Sequence, residues 1–371
     1  MNMRIKQIGW SNLLLMRLDI KVFAVWELCA IALLLTSFFS VASGADVGRD
    51  WSNYPAVPQL DTNEDVFAIG DVHGDRKRLV KVLRSAKLVP ALPSAPDQVK
   101  WAGGRSVLVI VGDLIDKGKK SLEVIDLLRT LQSDAASHGG KVIILLGNHE
   151  AEFLARREKR EFFDELKNKA GPDYPTEVAN CKNDLGQFLC NLPIAARVND
   201  WFFSHGGNTN DRTIAQLSAD IEAGINKDGF DTKELTDDNS ILEARLHKKS
   251  NWVYNKKYDF EPKKLLADYV SKLGVKRLVQ GHQYVEIKFP DGIKREKYTF
   301  FQLYGLLFLI DSGMSRHIEG SDSTGGALRI RNGKNAIVIC ANGARATLWD
   351  VSMNSDHQTM HCTKKSLKIE G

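Results

Sequence analysis

The chain reads as an α/β protein with a parallel βαβαβ N-terminal half and a C-terminal β-hairpin region. Three observations predict this. From Asp65 onward a strand, a glycine-containing turn and a helix follow one another three times. The runs Ser106–Val111 and Lys141–Leu146 are almost continuously apolar, as strands covered on both faces should be. Ala327–Val351 alternates β-branched residues with turn signals at Asn332-Gly333 and Asn342-Gly343, which mark hairpins.

The first strand, Val66–Ile69, leads into a helix over Arg78–Leu88, where Leu79, Val80, Val82, Leu83 and Leu88 form one apolar face. Ser106–Val111 is followed by a helix through Leu122, Ile125, Leu128 and Leu131. Lys141–Leu146 repeats the arrangement, and a charged helix is expected from about Glu150 to Lys169. Helices between successive strands imply a parallel sheet. Residues 208–272 hold helical stretches, while Trp201–Phe203, Arg277–Gln280 and Leu307–Ile310 are short apolar runs. A second, partly antiparallel sheet packed on the first accommodates the strands of this half. Ala91–Gln98 and Gly320–Gly326, rich in small or turn-forming residues, read as mobile surface loops.

With 371 residues and 43% hydrophobic content the chain can bury a full core. One elaborated domain is expected over 65–351, preceded by a polar segment, 46–64, and followed by a tail, 352–371. The formal net charge is +5; residues 1–45 carry Arg4, Lys6, Arg17 and Lys21 against Asp19 and Glu27, which leaves +3 on the rest. No lysine or arginine run interleaves with aromatics, so nucleic acid is not suggested as a partner.

Residues 1–45 read as an export signal. Basic residues precede the apolar stretch Val22–Phe39, and small residues follow at Val41-Ala42-Ser43-Gly44-Ala45, which places cleavage near Ala45. The alternative is an uncleaved anchor, since the stretch approaches the ~20 residues that span a bilayer. Glu27 opposes that alternative, because a mid-bilayer charge costs roughly 3 kcal/mol on insertion scales. The protein is therefore expected outside the cytoplasm, in a periplasmic or secreted location, or tethered to a membrane through this segment alone. Of the five cysteines, Cys181, Cys190, Cys340 and Cys362 remain after cleavage, and Cys181 and Cys190 are close enough to close a small loop.

Short motifs follow the apolar runs: Gly70-Asp71-Val72-His73-Gly74, Gly112-Asp113-Leu114-Ile115-Asp116, Gly147-Asn148-His149-Glu150, Ser204-His205-Gly206-Gly207 and Gly281-His282. Ligands gather beyond the carboxyl ends of parallel strands, which turns separate matches into one site. Divalent metals that activate water need hard or borderline ligands with open positions, and aspartate, asparagine and histidine supply them. Asp71 and His73, one residue apart at an extended strand end, can face one side and hold a first metal. Asp113 can bridge two metals, with Asn148, His205 and His282 completing the second shell. A hydroxide shared between metals ~3.5–4 Å apart is a nucleophile near neutral pH that attacks phosphorus in line.

This motif set, with Gly112 to Gly118 reading Gly-Asp-Leu-Ile-Asp-Lys-Gly, resembles the calcineurin-like metallophosphoesterases over about Asp65 to Ile330. Within them it is most similar to the phosphoprotein phosphatase branch, including the Shewanella-like and diadenosine tetraphosphatase-like groups. The resemblance implies a two-sheet β-sandwich flanked by helices. It also implies two divalent metals, manganese first, with iron or zinc accommodated. Asp71, His73 and Asp113 would bind one metal; Asp113, Asn148, His205 and His282 the other. His149 would protonate the leaving oxygen, oriented by Asp116. Lys117 stands where an arginine is usual, and a lysine offers phosphate a point charge in place of a fork. Arg245 is the candidate for a second phosphate-clamping arginine, with His247 and Trp252 nearby; Asp311-Ser312-Gly313-Met314 is expected near the site without a ligand role. The expected reaction is hydrolysis of phosphomonoesters, on phosphorylated proteins (serine, threonine or tyrosine) or a small phosphoester. The alternatives are a nucleotide or dinucleoside polyphosphate hydrolase and a non-catalytic metal-binding protein.

Overall fold

A short β1 (Gln59–Leu60) is followed by β2 (Val66–Ile69), β3 (Val107–Ile110) and β4 (Lys141–Ile144), which lie parallel and are joined by α1 (Arg76–Ser85) and α2 (Ser121–Ser137). The computed structural model describes residues 49–156, 160–246, 261–364 and 366–370, so the stretch 1–45 expected to be an export signal, His247 and Trp252 lie outside the described residues. Strand periodicity sets the layers. Phe67, Ile69, Leu108, Ile110, Val142 and Ile144 share a core with Leu79, Leu83, Leu122, Ile125 and Leu128 of the helices. The alternate residues Val66, Ala68, Val107, Val109 and Ile143 share another with Phe203, Val279, Phe300 and Phe308 of a second sheet. All four residues of β3 are buried, each worth ~1.5–3 kcal/mol relative to exposure.

The single charged helix expected from Glu150 to Lys169 is two. α3 (Asn148–Leu154) ends near Arg156, whose φ of 58° leaves the helical region, and α4 (Glu161–Ala170) is a separate helix. α5 (Tyr174–Ala179) and α6 (Asp184–Cys190) follow, stapled by a Cys181–Cys190 disulfide.

β5 (Ala195–Val198) and β6 (Trp201–Ser204) open the second sheet. α7 (Ile214–Asp228), α8 (Lys233–Thr236) and α9 (Pro262–Lys272) separate them from β7 (Arg277–Gln280). A small hairpin, β8 (Ile287–Lys288) with β9 (Lys294–Arg295), precedes β10 (Phe300–Leu303) and β11 (Leu307–Leu309). The hairpin strands predicted in 327–351 appear as β12 (Gly326–Arg331), β13 (Asn335–Cys340) and β14 (Arg345–Asp350), yet they extend the first sheet instead of the second. The edge of β2 is open on the side away from β3, and β12 fills it antiparallel, Leu328 opposite Ala68. The first sheet thus runs β14-β13-β12-β2-β3-β4.

Residues 352–371 are no tail. They contain β15 (His357–Cys362) and β16 (Leu367–Glu370), and the second sheet runs β1-β5-β6-β7-β11-β10-β15-β16. Met360 and Cys362 enter the core between the sheets, and a Cys340–Cys362 disulfide ties β13 of one sheet to β15 of the other. Nor is Gly320–Gly326 a surface loop throughout: Ser323 and Thr324 are buried, and the Thr324 N–H donates to the Cys362 carbonyl at 2.7 Å. The leading segment is anchored too, because the buried Arg49 guanidinium donates to the carbonyls of Cys190 and Leu192 at 2.8 and 2.9 Å.

Candidate active site

The five motifs converge at the carboxyl ends of β2, β3, β4, β6 and β7. Close approach explains two of the glycines: a Cβ on Gly112, at φ 91°, would lie 2.6 Å from the Gly147 Cα, and one on Gly118 would lie 2.4 Å from the His73 carbonyl. His73, Asp113, Asp116, Lys117 and His282 all adopt left-handed φ, between 44° and 67°, a conformation unfavourable for residues other than glycine. Strain clustered in this way is held by surrounding bonds.

Glu150 supplies four of those bonds. Its fully buried carboxylate accepts from the N–H groups of Gly147 and Asp113 on Oε2, at 2.8 and 3.0 Å, and of Leu114 and Ile115 on Oε1, at 2.8 and 3.1 Å. Burial and the nearby Asp113 push its pKa up to about 7 against those donors. The residue was visible in its motif, but nothing in the pattern of apolar residues assigns a carboxylate to backbone N–H groups.

Asp113 stands at the centre. Its Oδ2 lies 3.4 Å from His73 Nε2 and 3.9 Å from His149 Nε2, and its Oδ1 lies 3.3 Å from His205 Nε2. Asn148 Oδ1 is 3.0 Å from His205 Nε2, and His282 Nδ1 is 3.1 Å from the same atom. Asp71 lies 3.9 Å from His73 Nε2, and both its oxygens accept from the His282 N–H at 3.1 Å. A carbonyl can only accept, so His73 Nδ1 donates to Ile115 at 3.1 Å and His205 Nδ1 to Val111 at 2.8 Å. Both rings are thereby fixed with Nε2 free to act as a donor of electrons.

Burial drives His73 well below its usual pKa, and burial with His205 and Arg245 does the same to His282. Burial opposes charge on His205 as well, yet Asp113 and Asp71 push it up to about 10. Burial and Asp311 raise Asp71 well above the carboxylate range. Asp311 is 1% exposed, and its Oδ2 has no hydrogen-bond partner. Three buried carboxyl groups, those of Asp71, Asp113 and Asp311, packed among imidazoles make a site that calls for positive charge. Among the described residues, His73, Asp113 and His149 form one group, and Asp113, His205 and His282 another, each with ligand atoms within 4.8 Å of one another. This donor set fits divalent cations.

At the mouth, Asp116 Oδ2 accepts from His149 Nδ1 at 2.9 Å, while its Oδ1 accepts from the Phe162 N–H at 2.9 Å, so α4 holds the carboxylate that holds the ring. His149 keeps Nε2 facing the site. Burial works against its protonation, but Asp113 and the Asp116 hydrogen bond outweigh it and raise the pKa. Lys117 Nζ reaches within 2.8 Å of His73 Nε2, and Arg245 Nε within 2.8 Å of His282 Nε2. Both line a cavity of about 120 Å³ with Asp113, Asn148, His149 and His282. Arg160, which the sequence reading did not single out, brings Nη1 within 2.8 Å of His149 Nδ1 while pairing with Glu152 at 2.8 Å.

Residues 65–286 match the calcineurin-like phosphoesterase family. Among curated proteins, the chain is 26% identical over 340 residues to Shewanella-like protein phosphatase 1 of Plasmodium berghei (strain Anka), covering 85% of this chain and 86% of that one. It is 32% identical over 110 residues to Shewanella-like protein phosphatase 2 of Arabidopsis thaliana, covering 29% of this chain and 27% of that one. Among solved structures it shares its fold with the cold-active protein-tyrosine phosphatase of a psychrophilic Shewanella species, with TM-score 0.61, 22% identity, and 79% of this chain and 84% of that one covered. The family match spans more than half of the sequence, and the chain belongs to the calcineurin-like phosphoesterase family, as a metal-dependent hydrolase of phosphoesters.

Proposed function

We propose that the chain is a two-metal phosphatase that cleaves phosphomonoesters on phosphorylated proteins, in an oxidising compartment outside the cytoplasm. The observation that carries the two-metal reading is the position of Asp113, whose Oδ2 faces His73 at 3.4 Å and whose Oδ1 faces His205 at 3.3 Å, beside an acid, His149, already oriented by Asp116. Asp71, His73 and Asp113 would hold one metal, and Asp113, Asn148, His205 and His282 the other; manganese would suit this set, and iron or zinc also would. When bound, such metals lower the pKa of water enough to supply a nucleophile near neutral pH and offset the charge of the phosphate.

The remaining roles belong to the protein. Lys117 and Arg245, both in the wall of the cavity, hold phosphate oxygens. His149, protonated at Nε2, gives its proton to the leaving oxygen, and Asp116 keeps the ring in the tautomer that can do so. Glu150 keeps the backbone of two motifs in place throughout. Similarity to proteins named as protein phosphatases supports a phosphoprotein substrate. Two disulfides support export, since such bonds persist in oxidising compartments. A panel of phosphoserine, phosphothreonine and phosphotyrosine peptides, diadenosine tetraphosphate and a phosphodiester tests the substrate class. Peptides turned over with the highest kcat/KM support the proposal, and a preference for the dinucleotide refutes it.

A further inference from the structure

Beside the active site the molecule carries a second, larger groove of about 630 Å³, rimmed by Arg76, Lys77, Arg78, Lys81, Arg316 and Lys364. It continues, through Arg78, Arg316 and Lys364, into a neighbouring hollow of about 620 Å³ that adds Lys368. The cations come from three separate segments: α1, the stretch after β11, and the β15–β16 hairpin, with Lys364 in its turn and Lys368 on β16. Among the described residues, Glu123 pairs with Arg76 at 2.8 Å and Asp75 with Arg316 at 2.9 Å. Lys77, Lys81 and Lys364 are exposed, and among the described residues no acidic side chain pairs with them. Like charges gathered on one face repel, and they favour an anionic partner that spreads along them.

The floor between them is apolar. Val80 and Ala341 line it, and Leu92, at 50% exposure, is among the described residues one of few large apolar side chains left open to solvent. A small free anion has no use for such a floor, whereas an extended peptide presents alternate side chains to rim and floor. The groove also borders the catalytic loop. Asp75 lies two residues after His73 and grips Arg316 through both oxygens at 2.9 Å, and the Ser315 hydroxyl donates to the His73 carbonyl at 3.2 Å.

We propose that this groove binds an acidic segment of the protein substrate, docking it beside the metal site while its phosphoryl group is cleaved. The proposal rests on the phosphoprotein reading above. The test compares one phosphopeptide carrying an acidic flank with the same phosphopeptide carrying a neutral flank, on the metal-loaded enzyme and on a Lys77→Glu, Lys81→Glu, Lys364→Glu variant. The wild type should favour the acidic flank about tenfold, through KM and in a salt-sensitive way, as a few exposed ion pairs acting together would produce. The variant should lose that preference and hydrolyse p-nitrophenyl phosphate unchanged. Equal treatment of both peptides by the wild type, or a preference that survives in the variant, overturns the proposal. Tighter binding of a DNA duplex or an anionic vesicle than of the peptide, abolished in the variant, overturns the choice of occupant. Absence of any phosphopeptide hydrolysis by the wild type would instead sink the underlying reading. The groove is then judged separately, by fluorescence anisotropy of an unphosphorylated acidic peptide: binding that the variant abolishes supports it, and no binding overturns it.

Discussion

Glu150→Gln exchanges one oxygen of a carboxylate that accepts four backbone N–H groups for an amide that donates. Whichever way the amide is turned, two N–H groups lose their acceptor: those of Asp113 and Gly147, or those of Leu114 and Ile115. Each buried donor left unpaired costs ~1–3 kcal/mol, so the substitution should destabilise by about 2–6 kcal/mol, a large share of the ~5–15 kcal/mol typical of a domain. A fall in Tm of roughly 5–15 °C follows. The same N–H groups set the backbone of Asp113, His149 and Asp116, where Asp113, Asp116 and the adjoining Lys117 already hold left-handed φ, so turnover should drop about a hundredfold from misplacement alone. Thermal unfolding and p-nitrophenyl phosphate hydrolysis, both with metal present, measure the two effects. A variant with wild-type Tm and turnover would refute the reasoning, and would mean that Glu150 is a neutral acid that an amide can replace.

Asp116→Asn should leave metal content intact and lower kcat by about 10²–10⁴, because the ring loses the acceptor that fixes its tautomer. His149 has a raised pKa, so its charged form is favoured in the folded protein: the linked stability is present below the ordinary imidazole pKa and lost as pH rises through the raised value. The alkaline limb of kcat/KM should therefore lie above the ordinary imidazole range in the wild type and move to lower pH in Asp116→Asn. Lys117→Ala should raise KM for an aryl phosphate about tenfold with a smaller change in kcat, as loss of a phosphate-binding point charge would. The paired change Cys340→Ser, Cys362→Ser opens a link between residues 22 apart and should cost about 3 kcal/mol, read as a lower Tm that reducing agent does not lower further at this site.

The strands and the motifs at their ends were legible because a local rule governs each: apolar runs mark buried strands, and ligands collect at their carboxyl ends. What escaped depends on partners far away in sequence. The hairpin signature at 327–351 was clear, but only the open edge of β2 decides which sheet β12 joins. His357–Cys362 reads as polar, and becomes a strand because β10 offers an edge and Met360 and Cys362 reach the core. The pairing of Cys340 with Cys362 cannot be read from spacing, while Cys181 and Cys190 could be suggested because their loop is short. The break after α3 falls on Arg156, a residue with no breaking tendency of its own. Glu150 and Asp311 are charges with burial near zero exposure, and a pattern of apolar residues is silent about buried charge.

The central claim is that the groups sharing Asp113 hold the metals that make this chain a phosphatase. Adding Mn²⁺ stepwise to metal-stripped protein, while bound metal and p-nitrophenyl phosphate turnover are followed together, tests it most directly. Turnover should rise with occupancy and level off near about two ions per chain, and Asp113→Asn should bind less metal and stay nearly inactive. Full turnover in the stripped protein under chelator, or none at any occupancy, would contradict it.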